Sequence, residues 1–514
     1  MNDFTQGNIA KQIILFSVPM LIGSLFQQMY GMVDAVVVGR FLGSGALAAV
    51  GVSMSAFQFF IAALFGLTTG ASVVISQFFG AKAHGKLRVV MSTSVIFLTA
   101  LSLVMTVLGT IFTPTLLRFL NAHAAVFDYA VTYMRVQMSG LVFVIFFNMY
   151  TAYLRAMGNS RTPLYILIFS TTFNGLLNIL LVVVLGLGVG AVSAGTVVSQ
   201  GLAALICYIY TRRNVPLLRV IRHVPEAQVQ AEATHSAEAR VQVKIPADAK
   251  AQVQKMGTIS AQQASSAANS KSAAANNTEK PALTFNIFGI IFDWNLFTLI
   301  LKYGLPAALQ LSIVTFAHLT ITRLINDFGT AAMAGITSAS RIDQMVMMPV
   351  STLSLALATF VGQNMGANME ERAKQGFRTT LMYMVGLAVA ISAILFIASP
   401  WLVSVFVDAS DIYASEILHT GQSYLRILSA FYFLFAFLFG FNGFYRGAGD
   451  AVIAMIFPIS SLTIRTLSAY GLVHLAGMGP EALAWSVAIG WGITSSVSFI
   501  YYKKRLWAGK VAVK

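Results

Sequence analysis

The sequence predicts an all-α polytopic membrane protein, with twelve transmembrane helices in two pseudo-symmetric six-helix lobes. Three observations carry that prediction. First, 57% of the 514 residues are hydrophobic and only 10% are charged, a balance that ordinary soluble globules do not have. Second, about a dozen apolar stretches reach the roughly 18 residues that a helix needs to cross hydrocarbon. They are continuous, as from Leu176 to Leu187, and lack the alternation of a membrane β-barrel. Third, the chain repeats itself. Pro19 and the apolar run to Gln77-Phe78-Phe79-Gly80-Ala81 return as Pro306 and Gln363-Asn364-Met365-Gly366-Ala367. Tyr133 with Arg155-Ala156-Met157-Gly158-Asn159 returns at the same spacing as Tyr424 with Arg446-Gly447-Ala448-Gly449-Asp450. Two copies of a membrane bundle suggest a transporter, with its site at or near the interface of the repeats.

The expected spans of the first half are 11–37, 47–72, 89–113, 129–153, 164–186 and 191–211. Those of the second are 296–325, 332–362, 378–400, 417–444, 452–475 and 481–502. The first runs past Val38 without an Ala-x-Ala site, so it reads as a membrane helix and not as a cleavable signal peptide. Pro19, Pro163, Pro306 and Pro458 fall in or at the ends of spans, where they kink the chain or begin a turn. Residues 1–214 form one lobe and 285–514 the other. Between them, 215–284 is rich in Ala, Gln, Ser and Lys. It has too few large apolar residues to offset its chain entropy, and reads as a disordered or weakly helical cytoplasmic tether. Residues 285–293 read as a short amphipathic segment lying on the membrane.

The net charge of +15 is spread over alternate short connections. Lys82, Lys86 and Arg88, then Arg155 and Arg161, then Arg212 and Arg213, then Arg372, Lys374 and Arg378, then Arg446, then Lys503, Lys504 and Arg505 mark one side, while Arg40 and Arg118 are the main cations on the other. This is a positive-inside pattern, which places both termini in the cytoplasm of a multi-pass cell-membrane protein. The expected partners are membrane lipid and small amphipathic organic compounds, with no nucleic acid, and the chain is expected to be a monomer. A single cysteine, Cys207, rules out an internal disulfide and a cysteine-based metal site. The sequence lacks a phosphate-binding loop and the His-Glu-x-x-His and Gly-x-Ser-x-Gly signatures. It therefore reads as neither an enzyme nor an ATP-driven pump, with no cofactor beyond a coupling ion, so uphill transport must draw on an ion gradient.

Asp34 is the first candidate residue. It sits inside the opening span, and the second repeat has Ile321 at its place. An ionisable group in a span is costly, so its default reading is functional. Gln27, Tyr30 and Asp34 are three and four residues apart and share a helix face. A carboxylate flanked by an amide and a phenol can hold a proton or a cation; the plainer reading is a hydrogen-bonded acid that fixes packing. Asn174 and Asn178 lie one turn apart in an apolar span. Amide oxygens suit Na⁺, although asparagines also bind membrane helices to one another. Thr196, Ser199 and Gln200 can complete a polar pocket. The second half offers His318, Arg323, Arg341, Asp343, Asn442 and Arg465. Arg465 takes the repeat position of Asn174 and is expected to pair with Glu481 or Asp343, and Asp343 is the second choice of coupling carboxylate.

These residues resemble a known family. Gln27-Gln28-Met29-Tyr30-Gly31-Met32-Val33-Asp34, followed by Val38-Gly39-Arg40-Phe41-Leu42-Gly43, looks like the first-helix signature of multidrug and toxic compound extrusion (MATE) transporters. So do Ala46-Leu47-Ala48-Ala49-Val50-Gly51, Gly66 through Gln77, Arg155 to Asn159, and Gln363 to Ala367. The pattern covers both halves and is most similar to the bacterial branch of DNA-damage-inducible and staphylococcal-type exporters. The resemblance implies two lobes around a V-shaped cavity that opens alternately inward and outward. It also implies H⁺- or Na⁺-coupled antiport of amphipathic, often cationic drugs or toxic metabolites. Its cation site carries over to Asp34, Asn174, Asn178 and Thr196, with Na⁺ as a candidate occupant. Gln27, Tyr30, His318, Asp343, Asn442 and Arg465 are assigned to the substrate cavity. Many relatives have Asp where this chain has Asn178, which leaves one formal carboxylate and weakens the case for tight Na⁺ binding. The alternative is a lipid-linked precursor flippase of the same superfamily, in which Arg323, Arg341 and Arg465 would meet a pyrophosphate.

Overall fold

The structure is a computed structural model that describes residues 2–119, 123–214, 284–287, 290–407 and 412–513, and for 284–287, 290 and 315–319 the backbone alone. Apart from Thr284, the predicted tether 215–284 lies outside the described residues, as does the side chain of His318.

The first repeat runs α1 (Ile9–Phe41), α2 (Gly43–Gly80), α3 (His84–Phe119), α4 (Ala124–Ser139), α5 (Leu141–Ala156), α6 (Arg161–Asn178) and α7 (Val189–Asn214). The second opens with a hairpin, β1 (Thr284–Ile287) and β2 (Ile290–Asp293). It continues as α8 (Trp294–Asn326), α9 (Gly329–Gly366), α10 (Glu370–Ser404), α11 (Ala414–Ala448), α12 (Ala451–His474) and α13 (Ala482–Lys503). The duplication is visible in the lengths: α1 and α8 have 33 residues each, α2 and α9 have 38 each. Among the described residues eleven helices are long and apolar enough to cross a membrane, and the bent pair α4–α5 makes twelve.

Two expectations need correction. The fourth span is not one rod: α4 and α5 meet at Gly140 with a 47° bend. Glycine is needed there because a Cβ would run into Val197 of α7. The repeat spacing puts Phe431 at that place in α11, which runs unbroken and packs its ring 5.7 Å from that of Trp485. The second correction concerns 285–293, which is an antiparallel hairpin pairing Thr284 with Asp293. It rests on α3, where Ser92 Oγ donates to the Ile291 carbonyl at 2.7 Å and Asp293 N–H to Thr93 Oγ1 at 3.1 Å. Asp293 then caps α8 by accepting from Leu296 N–H, which satisfies one of the orphan donors of a helix start.

Each repeat begins its first helix against the opposite lobe. Ile13, Phe16 and Met20 of α1 pack with Ala356 and Phe360 of α9, and Ile300, Tyr303 and Ala308 of α8 join the core of the first repeat. Without a hydrophobic drive between helices in lipid, such crossings depend on small residues that let backbones touch. The crossings between lobes fall along the later half of α2, at Gly70 against Gly304 and at Gly80 against Gln363. Toward its other end, Gly43, Gly45 and Gly51 face open space. The lobes therefore meet at the end of the bundle that carries both termini.

Candidate ion-coupling site

Asp34 lies seven residues from the end of α1, about 10 Å of helix rise. It is 1% exposed. Its Oδ1 accepts from Asn178 Nδ2 at 2.6 Å and its Oδ2 from Thr196 Oγ1 at 3.0 Å. Asn174 Nδ2 stands 3.4 Å from the same hydroxyl, and Tyr30 Oη donates to the Thr196 carbonyl at 3.3 Å. The Thr196 hydroxyl has a second acceptor, the Val192 carbonyl at 3.1 Å. Its one proton can serve either partner, so this donor can let go of Asp34 without being orphaned.

Local backbone places these groups. α6 ends at Asn178 and passes into a π-helical turn, Ile179–Val184, a feature frequent at functional sites. On α7, a Cβ at Gly195 would collide with Asn178 Oδ1, so the missing side chain makes room for the amide. Gly195→Ala should push Asn178 off Asp34 and lower ion-coupled efflux about tenfold with little loss of fold, since one hydrogen bond to a charged group is worth about 1.5–3 kcal/mol. An unchanged coupling ratio in vesicles would show that the Asn178 contact is dispensable.

No basic side chain pairs with Asp34: the ion pairs of the described residues sit at Lys374, Arg505 and Lys510. Three buried oxygens nearby have no hydrogen-bond partner among the described residues, Asn174 Oδ1, Asn178 Oδ1 and Tyr133 Oη. A carboxylate with amide and hydroxyl oxygens is a hard donor set. It fits either a proton on the acid or a Na⁺ ion among the oxygens, and the described residues hold no cluster of three His, Cys, Asp or Glu that would suit a transition metal. Tyr133 and Gly195 are the site residues that sequence reasoning passed over. The only signal was the repeat match of Tyr133 with Tyr424; nothing marked Gly195.

Other candidates lie elsewhere. Gln27 is exposed; seven residues is two full turns, so sharing a face does not bring it to Asp34. In the second lobe Asp343 accepts from Tyr432 Oη at 2.6 Å. The expected ion pair of Arg465 is absent among the described residues, and its Nε has no partner. Arg465 packs on α13 at Gly490 and acts on Asp343 only through space, while Glu481 stands at the start of α13 beside Gly479. Asn442 is also not with Asp343. It donates to the Ala454 carbonyl at 2.5 Å and accepts from Arg446 Nη2 at 2.9 Å, tying α11 to α12 about 15 Å of helix rise beyond Tyr432. Ile321, at the place of Asp34, is buried apolar core. Asp343 thus has a phenol and a nearby cation to offset its charge, and Asp343→Asn should cost about 1–2 kcal/mol of stability while leaving the ion dependence of efflux in place. A lost ion dependence would move the coupling site to the second lobe.

A two-repeat membrane bundle with one buried acid among the described residues of its first lobe defines a class, a polytopic membrane transporter. The MatE family profile matches residues 19–180 and 306–471, so the chain belongs to the MATE family of transporters. It is 25% identical over 507 residues to the probable multidrug resistance protein YpnP of Bacillus subtilis (strain 168), covering 98% of this chain and 97% of that one. It is 29% identical over 223 residues to the multidrug export protein MepA of Staphylococcus haemolyticus, covering 43% of this chain and 49% of MepA. Among solved structures, a MOP superfamily transporter from Pyrococcus furiosus Vc1 matches with TM-score 0.77 at 21% identity, covering 98% of both chains. An outward-facing multidrug resistance MATE family transporter matches with TM-score 0.77 at 20% identity, covering 98% of this chain and 97% of that one. At such identities the likeness shows the fold.

Proposed function

We propose that the protein is a monomeric, cation-coupled antiporter that exports amphipathic, often cationic drugs or toxic metabolites by alternating access. It lies in the cell membrane with both termini cytoplasmic, and its coupling ion is H⁺ or Na⁺. The observation that carries this reading is Asp34, buried without a cation and held by donors from two other helices. The names of YpnP and MepA support the class of cargo.

An ion shifts a conformational equilibrium only by its differential affinity for the two states. Here the loaded carboxylate no longer needs both donors. Asn178 and Thr196 then release α1 from α6 and α7, and Thr196 turns to the Val192 carbonyl. Two hydrogen bonds to a charged group are worth about 3–6 kcal/mol together, the size of the roughly 5.5 kcal/mol that moves a population from 1:99 to 99:1. The apolar remainder of the lobe gives the cargo a surface selective for shape and apolarity.

The test is dye efflux from proteoliposomes under Na⁺ or pH gradients imposed one at a time. Efflux driven by one gradient supports the antiporter. Efflux indifferent to both gradients, with transport of a lipid-linked pyrophosphate, would assign the chain to the flippases instead.

A further inference from the structure

Two glutamines at repeat-equivalent places, Gln77 and Gln363, sit fully buried where α2 and α9 cross. There the backbones touch: a Cβ at Gly80 would strike the Gln363 carbonyl, and one at Gly366 the Gln77 carbonyl. Each glutamine makes the same two kinds of bond. Gln77 Nε2 donates to the Gly447 carbonyl of the other repeat at 2.8 Å, and its Oε1 accepts from Ala512 N–H at 2.7 Å. Gln363 Nε2 donates to the Ala156 carbonyl of the other repeat at 2.9 Å, and its Oε1 accepts from Phe4 N–H at 3.0 Å. One bond therefore bridges the lobes, and the other pins a segment near a chain terminus.

Both segments are anchored beyond these bonds. The Phe4 carbonyl accepts from Asn364 Nδ2 at 3.2 Å and Arg372 Nε at 2.9 Å, and the Phe4 ring packs 5.0 Å from Phe16 and 5.7 Å from Phe360. At the other segment, Trp507 is buried 4.8 Å from Phe444. Lys510 pairs with Asp450 at 2.9 Å, and its carbonyl accepts from Tyr303 Oη at 2.9 Å.

The geometry points to a paired latch: segments 2–8 and 504–513, through Gln363 and Gln77, hold the lobes closed at the end of the bundle that carries them. Buried backbone carbonyls and amides must stay paired. Separation of the lobes here strips a donor from Gly447 and from Ala156 and loosens both segments at once, so each glutamine couples lobe opening to segment release. The latch rests on the alternating-access reading for its role in transport, but its geometry can be tested without transport.

The experiment uses spin labels at Lys86 and Gln375, both exposed and on opposite lobes, in a Cys207→Ser background. Pulsed dipolar distances are compared for the unaltered latch, Gln77→Leu, Gln363→Leu and a deletion of residues 2–7. The deletion keeps both glutamines, so a misfolded glutamine variant does not end the test. Each glutamine variant is expected to raise the open-to-closed ratio at this end about tenfold, for the loss of its two hydrogen bonds, and the deletion, which removes the bonds of Phe4 to Gln363, Asn364 and Arg372, to raise it at least as much. Unchanged distance distributions in folded, monodisperse variants overturn the latch. Shifted distances in a protein that moves no dye under either gradient leave the latch standing and remove the antiport reading instead.

Discussion

Proteoliposomes carrying Asp34→Asn should show ion-driven efflux reduced about a hundredfold, the upper range of coupling between two sites, with a folded, monodisperse protein. Asparagine keeps the shape of the side chain but only one oxygen. That oxygen accepts from Asn178 Nδ2, while the new amide nitrogen donates to Thr196 Oγ1, whose own proton turns to the Val192 carbonyl, so contacts among α1, α6 and α7 remain. What it loses is the change of charge. An uncharged amide takes no proton and attracts no Na⁺, so the equilibrium between the two access states no longer follows the gradient. Stability should hold or rise, because removing a buried charge removes its desolvation cost. Melting temperature and gradient-driven efflux, measured on the same preparation, separate these effects. Full efflux with unchanged gradient dependence would leave Asp34 a packing residue and remove the basis of the proposed coupling.

Gly70→Val should cost at least about 1–3 kcal/mol, the usual penalty for overpacking, and lower both melting temperature and yield. The reason is the identity of the atoms in the way. A Cβ on Gly70 would meet the Cα and N of Gly304 and the carbonyl carbon of Tyr303. These are backbone atoms of α8 and cannot swing aside as a side chain would. Relief requires α2 and α8 to separate over the stretch where the second repeat's first helix enters the core of the first. Gly51→Ala, where a Cβ meets open space, serves as the control and should stay within about 0.5 kcal/mol of the parent. Equal melting of the two variants would show that the α2–α8 crossing does not bear on stability.

Much of the architecture is legible in the sequence. Span count and duplication are written in apolar runs and repeated motifs, because lipid forces every spanning backbone to satisfy its own hydrogen bonds within a helix. The bend at Gly140 and the hairpin at 284–293 were not legible. The first depends on Val197, fifty-seven residues away, and the second on hydroxyls of α3. The candidate site was legible in part. The expense of Asp34 shows in its neighbours along the chain, whereas its contact with Asn178 and Thr196 depends on how α6 and α7 approach α1, and on a glycine that allows it. The same limit explains the Arg465 error: repeat equivalence with Asn174 gave its helix but not the direction of its guanidinium.

Lipid is a solvent that reads local composition, so residue order alone settled the helical class, the twelvefold crossing and the twofold repetition. Contacts between distant segments depend on angles at which helices cross, and those are set by which pairs of small residues happen to meet. That is why the partners of Asp34, the lack of an ion pair at Arg465 among the described residues and the pinning of both terminal segments by Gln77 and Gln363 emerged only from the packed bundle.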